Sequence, residues 1–222
     1  MAMDSAVEFK LKDDLSLTDR VYLAIENAIL SGQIALGERL LENDLSEKLS
    51  VSRAPLREAL RRLHFEGLAE TLPRRGTYVI KPSRKDVVDL LQIREQLECL
   101  ATRLAAKNMK PSELEHLSTG VTRIGNIIAK NPKAGYPAHD IDFHQLMVQA
   151  SGNAKLVQIM SSVHRSLRIV RLISGVGKAS QTHSEHEAII AALKRRNLDA
   201  AEKAMRKHLR AIAKNILVRL KD

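Results

Sequence analysis

Tryptophan is absent from this chain, and only 3% of its 222 residues are aromatic. The core must therefore come from Leu, Ile, Val and Ala, a composition that favours helices. A single cysteine, Cys99, excludes an internal disulfide framework and fits a reducing cytoplasm. No apolar run approaches the ~18–20 residues needed to span a bilayer. The opening stretch, MAMDSAVEFKLKDD, lacks the apolar centre of a secretion signal. A cytoplasmic protein with no membrane partner is expected. What the chain has in quantity is apolar side chains, 44% of the total, enough for a packed core in one large domain or two smaller ones.

The net charge is +10, which invites a nucleic-acid partner. Its distribution complicates that inference. Residues 1–80 hold 11 Lys and Arg against 13 Asp and Glu, whereas residues 81–222 hold 25 against 13. Local clustering says more: between Lys48 and Arg75 there are seven basic residues and three acidic ones.

Three regions are expected: a polar tail over 1–15, a first domain over 16–81 and a second over 82–222. In the first domain, LTDRVYLAIENAILSG reads as a helix capped by Thr18 and closed at Gly32. LLENDLSEKLS reads as a short second helix, and a third runs from a cap at Ser52 to about Glu66. Extended pieces at 69–72 and 77–80 flank the turn Pro-Arg-Arg-Gly. Three helices and a hairpin describe a winged helix-turn-helix. From Ser83 onward strand signals vanish, and six helices are predicted at roughly 84–107, 111–130, 137–150, 153–174, 181–195 and 197–220. The expected fold is mainly α, a winged helix-turn-helix followed by an all-helical six-helix bundle.

The third helix carries two faces. Leu56, Ala59, Leu60 and Leu63 make an apolar stripe. Arg53, Arg57 and Arg61 lie on a second face, roughly 110° around from it. Pro55 falls in the first turn, where its missing N–H costs nothing. Arginine's planar fork suits base edges and phosphates, although a solvated charged face is the commoner meaning of such a stripe. The stretch LLENDLSEKLSVSRAPLREALRRLHFEGLAETLPRRGTYV resembles the DNA-binding domain of GntR-family transcription regulators nearly position for position. The resemblance implies that Arg53 and Arg57 contact bases or phosphates and that Arg75 and Gly76 sit at a wing tip near the minor groove. The expected DNA-binding set is Ser52, Arg53, Pro55, Arg57, Arg61, Arg75 and Gly76. Some family members have an arginine contact at the position of Asn43, which this chain lacks.

A second constellation lies in HDIDFHQLMVQASGN, where Asp140 and His144 stand one helical turn apart. His186 and His208 follow on later helices. Imidazole and carboxylate together suit a first-row divalent ion, and a bundle can converge them on one interior point. An ordinary surface pair is the plainer meaning of Asp140 with His144. His64, His116, His139, His164 and His183 are read as surface or satisfied core residues, and Cys99 as core. Residues 84–220 resemble the FCD effector domain of FadR-type GntR regulators, through Arg94 to Glu98, Asp140 to Leu156 and His186 to Leu193. Six helices rather than seven resemble the VanR branch. The resemblance implies a metal, zinc first and nickel or manganese next, held by Asp140, His144, His186 and His208. Arg94 either holds a carboxylate effector or pairs with Glu98.

The expected function is a dimeric repressor, not an enzyme. It would bind a pseudo-palindromic DNA operator and be re-tuned by a small organic acid near the metal. A metal-responsive sensor and a helical metalloenzyme are the alternatives.

Overall fold

The structure is a computed structural model that describes residues 15–131, 140–174 and 179–220, with the side chains of 140–142 excepted. The expected tail over 1–15 and residues 137–139 of the predicted third bundle helix therefore lie almost wholly outside the described residues. The chain divides into two compact units, residues 1–83 with Arg165–Leu172, and residues 84–164 with 173–222.

The first unit runs α1 (Leu17–Leu30), β1 (Arg39–Leu40), α2 (Glu42–Leu49), α3 (Arg53–Phe65), β2 (Ala69–Leu72) and β3 (Gly76–Val79). The cap of α1 is Ser16, not Thr18. Ser16 keeps the extended backbone that a cap requires, and its Oγ accepts the Asp19 N–H at 3.1 Å, while Thr18 already lies in the first turn. Ser52 does hold the cap position of α3, but its hydroxyl makes no capping bond. The turn between α2 and α3 is tightened by Ser50, whose backbone is left-handed at φ 53°.

The expected hairpin is present, with Glu70 opposite Tyr78 and Thr71 opposite Thr77. A third strand joins it: β1 pairs antiparallel with β3, giving the order β1-β3-β2. Val21, Ile25, Ile29, Leu45, Leu56, Leu63, Leu68 and Val79 are fully enclosed at the centre of this unit. Ile169 from the segment Arg165–Leu172 completes that core. Two arginines of the same segment face carboxylates of α1 and the end of α3: Arg168 meets buried Glu26 at 2.7 Å, and Arg165 approaches Glu66 at 3.7 Å. Tyr22 donates to both carboxylates, at 2.5 Å to Glu66 and 3.1 Å to Glu26.

The second unit draws on α4 (Arg84–Asn108), α5 (Pro111–Lys130), α6 (Asp140–Ala150), α7 (Ala154–Ser174), α8 (Ala179–Lys194) and α9 (Leu198–Arg219). Pro111 opens α5 at a position with no N–H to satisfy, and Glu113 accepts the Lys110 N–H at 2.7 Å. Asn197 caps α9 through the Ala200 N–H at 2.9 Å. Helix α4 packs against α6 and α9, and α8 packs against α5 and α9. The core between them holds Cys99, Ala105, Phe143, Met147, Ile189, Leu193 and Met205. Beside its buried stripe, α4 carries Leu90, Ile93, Leu97, Leu100 and Leu104 at alternating spacings of three and four. Ile93 and Leu100 are 51% and 43% exposed, and the other three are half-buried. This alternation of three and four is the spacing of a coiled-coil seam.

Candidate nucleic-acid interface and metal centre

Helix α3 turns its apolar stripe inward, and Leu56, Ala59, Leu60 and Leu63 are all buried. That placement leaves Arg53, Arg57 and Arg61 exposed on their separate face. Pro55 is half-buried in the first turn. Arg57 is tied to α2, its Nε donating to Glu42 at 2.8 Å while 61% of its side chain stays exposed. The hairpin tip exposes Arg74 and Arg75. Arg74 is left-handed at φ 60° and Gly76 has φ 100°, a geometry that only glycine adopts freely at the second position. Across the sheet, Arg39 lies against Gly76, where an added Cβ would come within 3.1 Å of its Nε, and reaches over the Tyr78 ring at 6.0 Å. Arg39 is exposed, and β1 carries it to the wing. The sequence did not single it out, because a two-residue strand has no periodicity to detect. The candidate interface is a row of exposed arginines along α3 beside a basic wing within one unit. It can donate to phosphates and base edges.

In the second unit three imidazoles meet. His144 on α6, His186 on α8 and His208 on α9 are each at most 1% exposed. The Nε2 atom of His208 lies 3.2 Å from that of His186 and 3.3 Å from that of His144. Phe143 stacks on the His186 ring at a centroid separation of 3.9 Å. Asp140 opens α6, but its side chain lies outside those described.

Carboxylates stand behind two of the rings. His144 Nδ1 faces Glu98 of α4, and His208 Nδ1 faces Glu185 of α8 at 2.8 Å. Burial alone would push the Glu98 carboxyl up. The Arg94 charge and the His144 contact outweigh it and hold Glu98 well below the usual carboxylate range. Burial acts on Glu185 in the same sense, and the His208 and Gln181 hydrogen bonds reverse it to a net lowering. A carboxylate is ionised near neutral pH even at its ordinary pKa and only accepts, so these contacts place a proton on each Nδ1. In neutral rings the two Nε2 atoms then present lone pairs, facing each other at 3.3 Å. A cation between them removes that repulsion. The observed spacing also matches the edge of a tetrahedron of zinc–nitrogen bonds, about 3.3 Å for bonds of ~2.0–2.1 Å. The three imidazoles therefore fit a divalent ion.

Arg94 is 4% exposed, and its Nε donates to Glu98 at 2.7 Å. The ion pair with Glu98, one of the two roles read for it in the sequence, is present. His164 also reaches Glu98, at 3.4 Å, and His183 is satisfied by the Val121 carbonyl at 3.1 Å. His139 lies outside the described residues. Cys99 is buried, and burial pushes its thiol up to about 11, which keeps it protonated and unsuited to binding a metal. Glu98 and Glu185 were not recognised in the sequence as partners of the imidazoles. No helix is long and apolar enough to cross a membrane among the described residues.

Comparison with known proteins follows the same division. Residues 17–79 match the model of the bacterial regulatory proteins of the gntR family, and residues 89–211 match the FCD domain. The chain is 29% identical to the HTH-type transcriptional repressor RspR of Escherichia coli over 95% of its length and 93% of that protein's. It is 30% identical to the HTH-type transcriptional regulator LutR of Bacillus subtilis, covering 82% and 92% respectively. Among solved structures, a GntR regulator from Rhodococcus sp. RHA1 superposes with a TM-score of 0.75 at 24% identity, over 93% of this chain and all of that one. McbR/YncC of E. coli does so with 0.72 at 20% identity, over 91% and 97%. These two likenesses speak for the fold.

Proposed function

The chain belongs to the GntR family of bacterial regulatory proteins and carries an FCD domain, and on that premise we propose that it is a repressor whose hold on a pseudo-palindromic operator is re-tuned by a small organic acid bound near a divalent metal. The family consists of DNA-binding transcription regulators, not enzymes, which sets aside the metalloenzyme alternative. The observation that carries the proposal is the row Arg53, Arg57 and Arg61, exposed along α3 beside the wing arginines Arg74 and Arg75. Ser52, Pro55 and Gly76 support it by shaping the helix start and the wing turn.

Dimerisation is supported by the apolar seam on α4, since a two-fold contact uses the same patch on both copies. Two reading heads related by such an axis match two half-sites of one operator. His144, His186 and His208, with Asp140, would hold the metal. A bound zinc, nickel or manganese ion supplies a Lewis-acidic position that a carboxylate oxygen of the effector can occupy. Arg94 gives its Nε to Glu98, so an effector carboxylate would meet the other guanidinium nitrogens. The effector shifts operator affinity only by the difference in its own affinity for the two states of the dimer.

The test is a pull-down of fragmented genomic DNA by the zinc-loaded protein, with sequencing of what is retained. Enrichment of a short palindrome is expected, weakened by one member of a panel of carboxylates. No enrichment, with or without zinc, overturns the proposal. Operator affinity that tracks free zinc with no carboxylate present would point to the metal as the signal.

A further inference from the structure

The metal reading leaves open what holds the imidazoles ready. Resting on that reading, we propose that Glu98 and Glu185 are positioning residues: each accepts the Nδ1–H of one imidazole, fixes the ring with its Nε2 lone pair turned inward, and so builds the centre before an ion arrives.

A neutral imidazole carries its proton on either nitrogen, and the partner of one nitrogen decides which. His144 and His208 each have a carboxylate at Nδ1. The carboxylates come from different helices, α4 and α8, and each is itself held. Glu98 Oε1 accepts from Arg94 Nε at 2.7 Å. Glu185 Oε1 accepts from Gln181 Nε2 at 3.0 Å. Two relays therefore converge on one point, Arg94–Glu98–His144 and Gln181–Glu185–His208. Each ends in an Nε2 lone pair, and the two Nε2 atoms lie 3.3 Å apart. Without the carboxylates either ring could place an N–H there and repel a cation. The carboxylates also set negative charge behind the donors, which makes the imidazoles more basic ligands. Arg94 gains a role that the family resemblance did not suggest: it orients Glu98.

Glu98 is a poor target for substitution, because removing it strands the buried Arg94 charge. Glu185 is the better probe. Full-length protein is stripped of metal and titrated with zinc against a chromophoric chelator. Histidine tautomers in the metal-free protein are read from side-chain 1H–15N correlations. Wild-type His208 is expected in the Nδ1–H form. Glu185→Ala is expected to lower zinc affinity 10–100-fold and to release His208 from that form. Glu185→Gln keeps an acceptor oxygen without the charge, so it should restore the tautomer and recover only part of the affinity. Unchanged zinc affinity in Glu185→Ala, or an Nε2–H tautomer in the metal-free wild type, overturns the inference. If the wild type binds no zinc, the metal reading itself fails, and an Nδ1–H His208 in the same sample shows that the fault lies there and not in the carboxylates.

Discussion

Arg57 shows how one side chain can be held and still available. Its guanidinium rests on Glu42, yet more than half of the side chain faces solvent. A pair this exposed contributes little to stability, so the DNA needs to displace only a weak partner. Arg57→Ala should weaken operator binding by about 1–3 kcal/mol, and Arg57→Lys should not restore it, because lysine cannot bond two acceptors in one plane. Fluorescence anisotropy on the enriched palindrome at fixed salt measures both, and unchanged affinity in the alanine variant would remove Arg57 from the reading set. His186→Ala should lower the metal-to-protein ratio, measured by elemental analysis, while leaving the winged helix folded. At this scale the sequence displayed the arginines and the three histidines, since residue type and motif carry them. It hid the carboxylates. Glu98 meets a histidine 46 positions later, and Glu185 one 23 positions later. Only the packing of α4 on α6 and of α8 on α9 brings them together.

At the scale of the element, apolar periodicity located every helix of the first unit, and residue preference with the Pro-Arg-Arg-Gly turn located the two strands of the hairpin. It missed β1, whose two residues pair only because β3 offers an edge. It also misplaced the α1 cap by two residues, since Ser16 and Thr18 are both capping types and backbone conformation decides between them. Helices α1 and α3 are joined by Glu66, which accepts from Tyr22 and from Arg62 at 3.0 Å. Burial tends to raise the Glu66 carboxyl, but the Tyr22 and Arg62 hydrogen bonds prevail and lower it below its ordinary 4.5. A carboxyl lowered on folding binds fewer protons in the native state. Its contribution is present above its unfolded value and is lost as pH falls through the folded one. Urea unfolding from about pH 6 down to about pH 3 should therefore show a shallower acid decline for Glu66→Gln than for the wild type. Parallel declines would mean that Glu66 is not the group responsible.

For the whole molecule, the α4 seam matters most. Leu97 lies at its midpoint, flanked by the exposed Ile93 and Leu100. Leu97→Glu places a charge on the proposed two-fold contact, and sedimentation should report a monomer where the wild type gives a dimer. The monomer should keep its helical signal and bind a single half-site weakly. A dimer that survives the substitution moves the contact elsewhere. The expected boundary near residue 82 followed from the loss of strand signals, but no pattern in the sequence indicated that part of α7 completes the other core.

That last feature bears on how this protein can be taken apart. The stretch 16–81, which reads in the sequence as the DNA-binding domain, lacks one piece of its own interior. A fragment ending at Ser83 would lose Ile169 from its centre and both arginines that face Glu26 and Glu66. It would expose to water the apolar surface that Ile169 covers and leave Glu26 without its arginine. The natural unit of this reading head is discontinuous in sequence, so grafting it onto another protein means carrying a segment of α7 along with it.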